Sequence, residues 1–263
     1  MNLTKKIRQT VEGVGTDFAC DMGMAYLARR DILFGGALFH VTWQCHNRDW
    51  FLQDNSAKDV YYNLLLKHKD KYGVQIFSWC LMDNHPHLTG KTETVEGISM
   101  LMKVVNSLFA KWVNKLKNRQ GQVIMDRFKS PVIQTGEKLL KVMIYGDINA
   151  VRAGKVKHPK MYRWSSYHFY AHGKPDPLIT PCQAFLALGA DIQACQKRYR
   201  EMVDGVIQND LERKQRQNYS HVLYIGDPGW VKARYERLQE INRCKRQAYL
   251  QRQKRFLYSQ APF

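Results

Sequence analysis

The chain has 263 residues, with 41 Lys and Arg against 23 Asp and Glu and a formal net charge of +18, a length that suits one large domain or one domain with appendages. A positive surplus on that scale favours polyanionic partners, nucleic acid first and an anionic membrane surface second. A hydrophobic content of 44% predicts a folded core; the chain has no run of about 18 apolar residues and so no expected transmembrane helix, and its six cysteines lack the C-x-x-C spacing of a zinc knuckle or the density of a disulfide scaffold.

Residues 1–36 read as an irregular N-terminal extension with a short helical candidate at 18–30. Their basic residues flank no apolar core, so no secretory signal is expected and a cytoplasmic location is. "ALFHVTWQCHN", 37–47, is rich in β-branched and aromatic residues and predicts a first strand, entered from Gly35-Gly36. A helix follows over 56–71 with Ser56 as its N-cap. "YGVQIFSWCLMDNHPHLTG", 72–90, predicts one or two strands broken at Asp83-Asn84. From 95 to 119, Val95, Ile98, Met102, Val105, Phe109, Trp112 and Leu116 recur at helical spacing. No Asp or Glu lies between 97 and 125, whereas Lys103, Lys111, Lys115, Lys117 and Arg119 do. That face suits a phosphate backbone, or is an ordinary solvated surface.

Residues 121–135 predict strand around a glycine turn, and 136–154 predict a helix stopped at Gly154. This order of elements predicts an α+β sandwich, with a mainly antiparallel sheet covered by helices. Residues 155–181 are a proline-containing closing segment. From 182 onward the pattern is helical, and 241–263 carries six basic side chains and no acidic one, a tail expected to touch polyanion or to lie disordered.

"CLMDNHPHLTG", 80–90, poses the chemical question. On an extended strand His85 and His87 project to the same face and can share a divalent ion, although a pair is an incomplete site and two hydrogen-bonded histidines are the plainer reading. Tyr145 and Asn149, four apart on a helix, lie one turn from each other. Beside the histidine strand, Asn149 can complete a metal shell and Tyr145 can present its hydroxyl; otherwise they are a core tyrosine and a helix-end asparagine. His40-Val41-Thr42 and His87-Leu88-Thr89 each spell H-x-T, the doubled motif of metal-independent 2H phosphodiesterases, a reading that leaves His85 and Tyr145 unexplained.

The blocks "HVTWQCHNRDWFL", "YGVQIFSWCLMDNHPHL", "DRFKS", "YGDINAVRAG" and "WSSYHFYAHGKPDPLI" occur in the order and spacing of the single-tyrosine transposases. They resemble most the REP-associated tyrosine transposases of the HUH endonuclease group. The resemblance implies a ferredoxin-like HUH endonuclease sandwich over 37–181, followed by a basic helical C-terminal extension over 182–263. It implies His85, His87 and Asn149 as ligands of Mg²⁺ or Mn²⁺, and Tyr145 as the nucleophile that forms a 5′-phosphotyrosine. The implied substrate is hairpin-bearing single-stranded DNA, a REP-like palindrome. The residues themselves add candidate DNA contacts: Lys103, Lys111 and Lys115 on the basic helix face, Arg127 and Lys129 in "DRFKS", which otherwise flank a strand, and Arg152 beside the Tyr145 helix end, which otherwise caps its last carbonyls. Monomer and dimer are both compatible with the sequence.

Two residues depart from the family pattern. Pro86 replaces the apolar residue between the histidines and removes a backbone donor, which is expected to disturb the strand. Ala150 replaces a frequent proline. A DNA-binding or regulatory relative that has lost cleavage is the alternative that Pro86 supports.

Overall fold

The computed structural model describes residues 28–212, 219 and 222–259. A one-turn helix α1 (Arg29–Ile32) precedes β1 (Leu38–Thr42), which is entered through Gly36 at φ 80°, a left-handed conformation that glycine adopts without strain. Helix α2 (Asn55–His68) starts one residue before the predicted Ser56 cap; Asp54 holds the N-cap position and makes no side-chain capping bond. Strands β2 (Val74–Leu81) and β3 (Pro86–Thr92) follow, then α3 (Gly97–Leu116), β4 (Val132–Ile133), α4 (Glu137–Asp147), α5 (Asn149–Arg152) and α6 (Tyr167–His172). Helices α7 (Gln183–Leu186) and α8 (Ile192–Glu212), strand β5 (Tyr224–Ile225) and helix α9 (Pro228–Ser259) complete the order. The predicted helix at 18–30 falls mostly outside the described residues.

The fold is α+β, and its sheet runs β2-β3-β1-β4-β5, antiparallel except for the β4–β5 pair. β3 is therefore flanked on both sides. Alternation along the strands divides the residues between two faces. Trp43, just past β1, meets Tyr61 of α2 and Phe109 of α3 edge-on or tilted, at centroid distances of 5.5 and 6.2 Å. On the other face His40 and His87 meet Tyr145 of α4. Gly90 in β3 is required by close approach: a Cβ there would sit 2.1 Å from the Gln75 carbonyl oxygen and 2.9 Å from the Phe39 ring.

Three sequence expectations are corrected. In α3 the buried stripe is Ile98, Leu101, Met102, Val105, Phe109 and Val113, while Leu116 is 58% exposed. Leu116, five full turns after Ile98, keeps the stripe's side but is the last residue of the helix and projects past the core that covers Ile98 to Val113. Within 121–135 only Val132–Ile133 is strand, with isolated bridges at Lys129 and Ile124; Pro131 lacks a ladder donor and interrupts the run. The helix predicted over 136–154 breaks at Ile148 (φ −88°, ψ 0°). There the Asn149 amide donates to the Tyr145 carbonyl at 2.7 Å and competes with the backbone for that acceptor.

Packing continues without a break past residue 181. Phe185, Cys195, Tyr199, Val203 and Leu238 are buried in the same core as the sheet, and β5 extends the sheet itself. Among the described residues no helix is long and apolar enough to cross a membrane.

Asp147 of α4 joins these parts. Its fully buried carboxylate accepts from Ser166 Oγ and from Tyr199 Oη of α8, both at 2.8 Å. Burial pushes its pKa up to about 7, against the pull of those two hydroxyls. The native state thus keeps a proton that the unfolded chain, with an ordinary carboxyl, releases. Stability should fall as pH rises from about 4 to 7 and then level off, with a ceiling of roughly 4 kcal/mol for this group. Asp147→Asn is expected to flatten that decline in thermal melts between pH 5 and 8; parallel profiles for both proteins would contradict it.

Candidate active site

The histidine pair straddles the start of β3. His87 is in the strand, paired with Thr42 of β1 and Cys80 of β2, whereas His85 sits in the preceding turn. Their rings lie edge to face with centroids 4.8 Å apart. The turn is held from several directions. Met82 N–H donates to the His85 carbonyl (2.9 Å), Cys45 N–H to the Asn84 carbonyl (2.8 Å) and Leu52 N–H to the Asp83 carbonyl (2.8 Å). The Asp83 carboxylate accepts from Lys58 at 3.0 Å and from Lys155.

Pro86 is accommodated by its position. The β1–β3 ladder runs from Leu38↔Lys91 to Thr42↔His87 and stops one residue short of the proline, which remains paired with Leu81 of β2. Proline as the first residue of a strand costs little, and His87 stays in register.

The imidazole nitrogens form an ordered chain. His40 Nδ1 is 3.0 Å from Thr89 Oγ1, and His40 Nε2 is 3.1 Å from His87 Nδ1. His87 Nε2 is buried and has no hydrogen-bond partner. His85 Nδ1 lies 2.6 Å from Asn84 Oδ1; that oxygen only accepts, so Nδ1 carries the proton and Nε2 keeps its lone pair. All three rings are neutral at neutral pH. Burial, then the neighbouring His85, lowers His40 to about 3; burial lowers His85 to about 4 against the opposing charge of Asp83; burial, then His85, His40 and Arg152, holds His87 well below the ordinary range. Neutral imidazoles with available lone pairs are the form that binds metal.

Helix α4 brings Tyr145 to this chain. The residue is 9% exposed, and its ring meets His87 and His40 edge-on at centroid distances of 5.5 and 5.8 Å. The Arg152 guanidinium lies over the ring at 5.0 Å, and the Tyr219 ring meets it at 4.9 Å. Asn149, one turn on, directs its amide nitrogen to the Tyr145 carbonyl, which leaves Oδ1 as the atom able to coordinate a cation. Among the described residues no three His, Cys, Asp or Glu converge as a metal cluster, so a third protein ligand would come from another residue type, such as that amide oxygen.

The remaining candidates divide. Lys103, Lys111 and Lys115 are exposed on α3, and Arg127 and Lys129 are exposed in the segment after it. Arg152 instead turns inward, donating to Asp210 of α8 through Nε (2.6 Å) and Nη2 (3.2 Å). Trp164, the first residue of the block "WSSYHFYAHGKPDPLI", packs in the core and donates to Asn55 Oδ1 at 2.9 Å. The two H-x-T motifs are cross-strand partners, His40 with Thr89 and Thr42 with His87. Because His40 is fully buried and within hydrogen-bonding distance of His87, no phosphate fits between them as the phosphodiesterase reading needs.

Sequence reasoning missed three contributors: Asp83, Tyr219 and Asp210. All three belong to contacts between residues distant in sequence.

Over part of the chain, a family model agrees with the resemblance to single-tyrosine transposases. Residues 35–129 match the family model described as "Transposase IS200 like", a stretch that includes both histidines of the pair and ends before Tyr145. A solved structure of a REP-associated tyrosine transposase bound to a REP hairpin is 18% identical, with a TM-score of 0.46 over 57% of this chain and 92% of that one. A search of curated proteins finds no match.

Proposed function

We propose that this chain, whose residues 35–129 match the IS200-like transposase family, is a transposase that cuts and rejoins single-stranded DNA carrying a hairpin, through a covalent bond to Tyr145. The observation that carries the reading is the placement of the Tyr145 ring against His87, whose buried Nε2 has no protein partner. His85 Nε2, His87 Nε2 and Asn149 Oδ1 would hold Mg²⁺ or Mn²⁺, and the ion would supply Lewis-acid polarisation of the scissile phosphate.

The chain's own residues do the rest. Tyr145 Oη attacks phosphorus and the 3′-oxygen of the upstream nucleotide departs, leaving a 5′-phosphotyrosine and a free 3′-hydroxyl. The phenolic proton lost by Tyr145 is balanced by the proton taken up by the departing oxygen. An ordinary phenol has a pKa near 10; the Arg152 guanidinium, over the ring, favours the phenolate as the bond forms. Attack by a DNA 3′-hydroxyl on the same linkage reverses the step, so bond energy is conserved.

The test is incubation with labelled hairpin-bearing single strands, taken from the DNA flanking the gene, in Mn²⁺ or EDTA. The reading expects a Mn²⁺-dependent product with an extendable 3′-hydroxyl. Tight binding without cleavage on every strand would favour the regulatory reading instead.

Lys103, Lys111 and Lys115 fall within an arc of roughly 120° on α3, so one backbone can meet all three. Replacing them together with Gln is expected to weaken hairpin binding and to reduce the slope of log affinity against log salt by up to about 2, at roughly 0.7 per phosphate contact on a single strand. An unchanged slope would remove α3 from the interface.

A further inference from the structure

A metal-binding imidazole needs a bare nitrogen, and a buried neutral histidine has one on the correct side only if its proton is held on the other. His87 faces this choice with no help at Nε2, where no acceptor lies within reach. Its other nitrogen meets His40, and His40 in turn meets Thr89. The register explains the order of the chain. His40 is the cross-strand partner of Thr89, and His87 lies two residues before Thr89 on the same face of β3.

Two proton arrangements satisfy these distances. In the first, His40 Nδ1–H donates to Thr89 Oγ1, His87 Nδ1–H donates to His40 Nε2, and His87 Nε2 is a bare lone pair. In the second, Thr89 Oγ1–H donates to His40 Nδ1, His40 Nε2–H donates to His87 Nδ1, and His87 Nε2 carries a hydrogen. The second buries an N–H with no acceptor, a rare and costly defect, whereas an unfilled lone pair is tolerated better.

We propose that His40, anchored by Thr89, is a positioning residue that holds the His87 proton on Nδ1 and so keeps His87 Nε2 open to a metal ion. The proposal rests on the metal-dependent reading above for its purpose, but its geometry is tested independently of it. Neither His40 nor Thr89 touches substrate in this role; both act through His87.

The experiment uses the full chain and three variants. His40→Phe keeps an aromatic ring but no acceptor, His40→Gln keeps an acceptor oxygen, and Thr89→Val removes the anchor. Two readouts apply: Mn²⁺ affinity by electron paramagnetic resonance, and histidine ¹⁵N spectra of the metal-free protein, which distinguish protonated from bare ring nitrogens. The expected results are a bare His87 Nε2 in the wild type, Mn²⁺ binding about 10- to 100-fold weaker in His40→Phe, and recovery to within a few-fold in His40→Gln. A protonated His87 Nε2 in the wild type, or a folded His40→Phe that binds Mn²⁺ as the wild type does, would overturn the proposal. If His40→Phe does not fold, Thr89→Val decides it: weaker Mn²⁺ binding with mixed His87 tautomers supports the proposal and wild-type behaviour overturns it. If the wild type binds no Mn²⁺, the metal-dependent reading fails, and the ¹⁵N spectrum still decides whether His40 sets the tautomer.

Discussion

Tyr145→Phe should lose covalent adduct and strand cleavage by at least roughly 10⁴-fold, the scale on which removing a nucleophile acts, while hairpin affinity stays within about twofold. The asymmetry follows from where the tyrosine sits. The residue is buried, 9% exposed, and its ring is packed against His87, His40, Arg152 and Tyr219, contacts that phenylalanine keeps. Only the hydroxyl disappears. The exposed cations on α3 and after it, which are expected to hold the backbone, are untouched. Adduct measured on a denaturing gel and affinity measured in EDTA separate the two effects. Equal loss of both would mean that Tyr145 supports the fold or the interface and does no chemistry.

The second large effect is on stability, at Asp83. Its carboxylate lies between Lys58, whose side chain is only 4% exposed, and Lys155, at 33%. Burial opposes its ionisation, yet the bonds from Lys155 and Lys58 hold its pKa below the ordinary value. Asp83→Asn leaves Lys58 buried without a counter-charge, a defect that costs about 3–5 kcal/mol in comparable pairs. The low end is expected, because Lys58 also donates to the Gln53 carbonyl at 3.0 Å and Lys155 is partly screened by solvent. The melting temperature should fall on the order of 10 °C at neutral pH. Since the native pKa is depressed, this contribution is present at neutral pH and fades only as pH falls below about 4. A melting temperature within one or two degrees of wild type would show that the ion pairs are not what secures the turn before His85.

Much of this architecture was legible in local pattern. β1, the break at Asp83-Asn84 and the amphipathic α3 follow from alternation and helical periodicity, which report on residues close in sequence. The spacing of His85 and His87, and of Tyr145 and Asn149, states which side chains share a strand face or a helix face. It does not state which faces meet. Nothing local indicates that Asp83 pairs with Lys58 and Lys155, or that Asp147 binds Tyr199, because such pairs cross the fold between segments with no common period. Arg152 illustrates the limit: its place at the end of the Tyr145 helix suggests a role near the site, but nothing local indicates that Asp210, 58 residues away, engages it. β5 is two residues long and joins the sheet through β4, too short to carry a pattern. Pro86 was expected to disturb the histidine strand, and only the register shows that the β1 ladder ends before reaching it.

The central claim is that Tyr145, and no other side chain, becomes linked to DNA. The most direct measurement is to trap the Mn²⁺-dependent adduct, digest the protein and the attached strand, and locate the nucleotide by peptide mass spectrometry. The account predicts a 5′-nucleotide on the peptide that contains Tyr145. Its appearance on Tyr219, whose ring is 4.9 Å away, or the absence of any nucleotide-bearing peptide from a protein that cleaves, would contradict it.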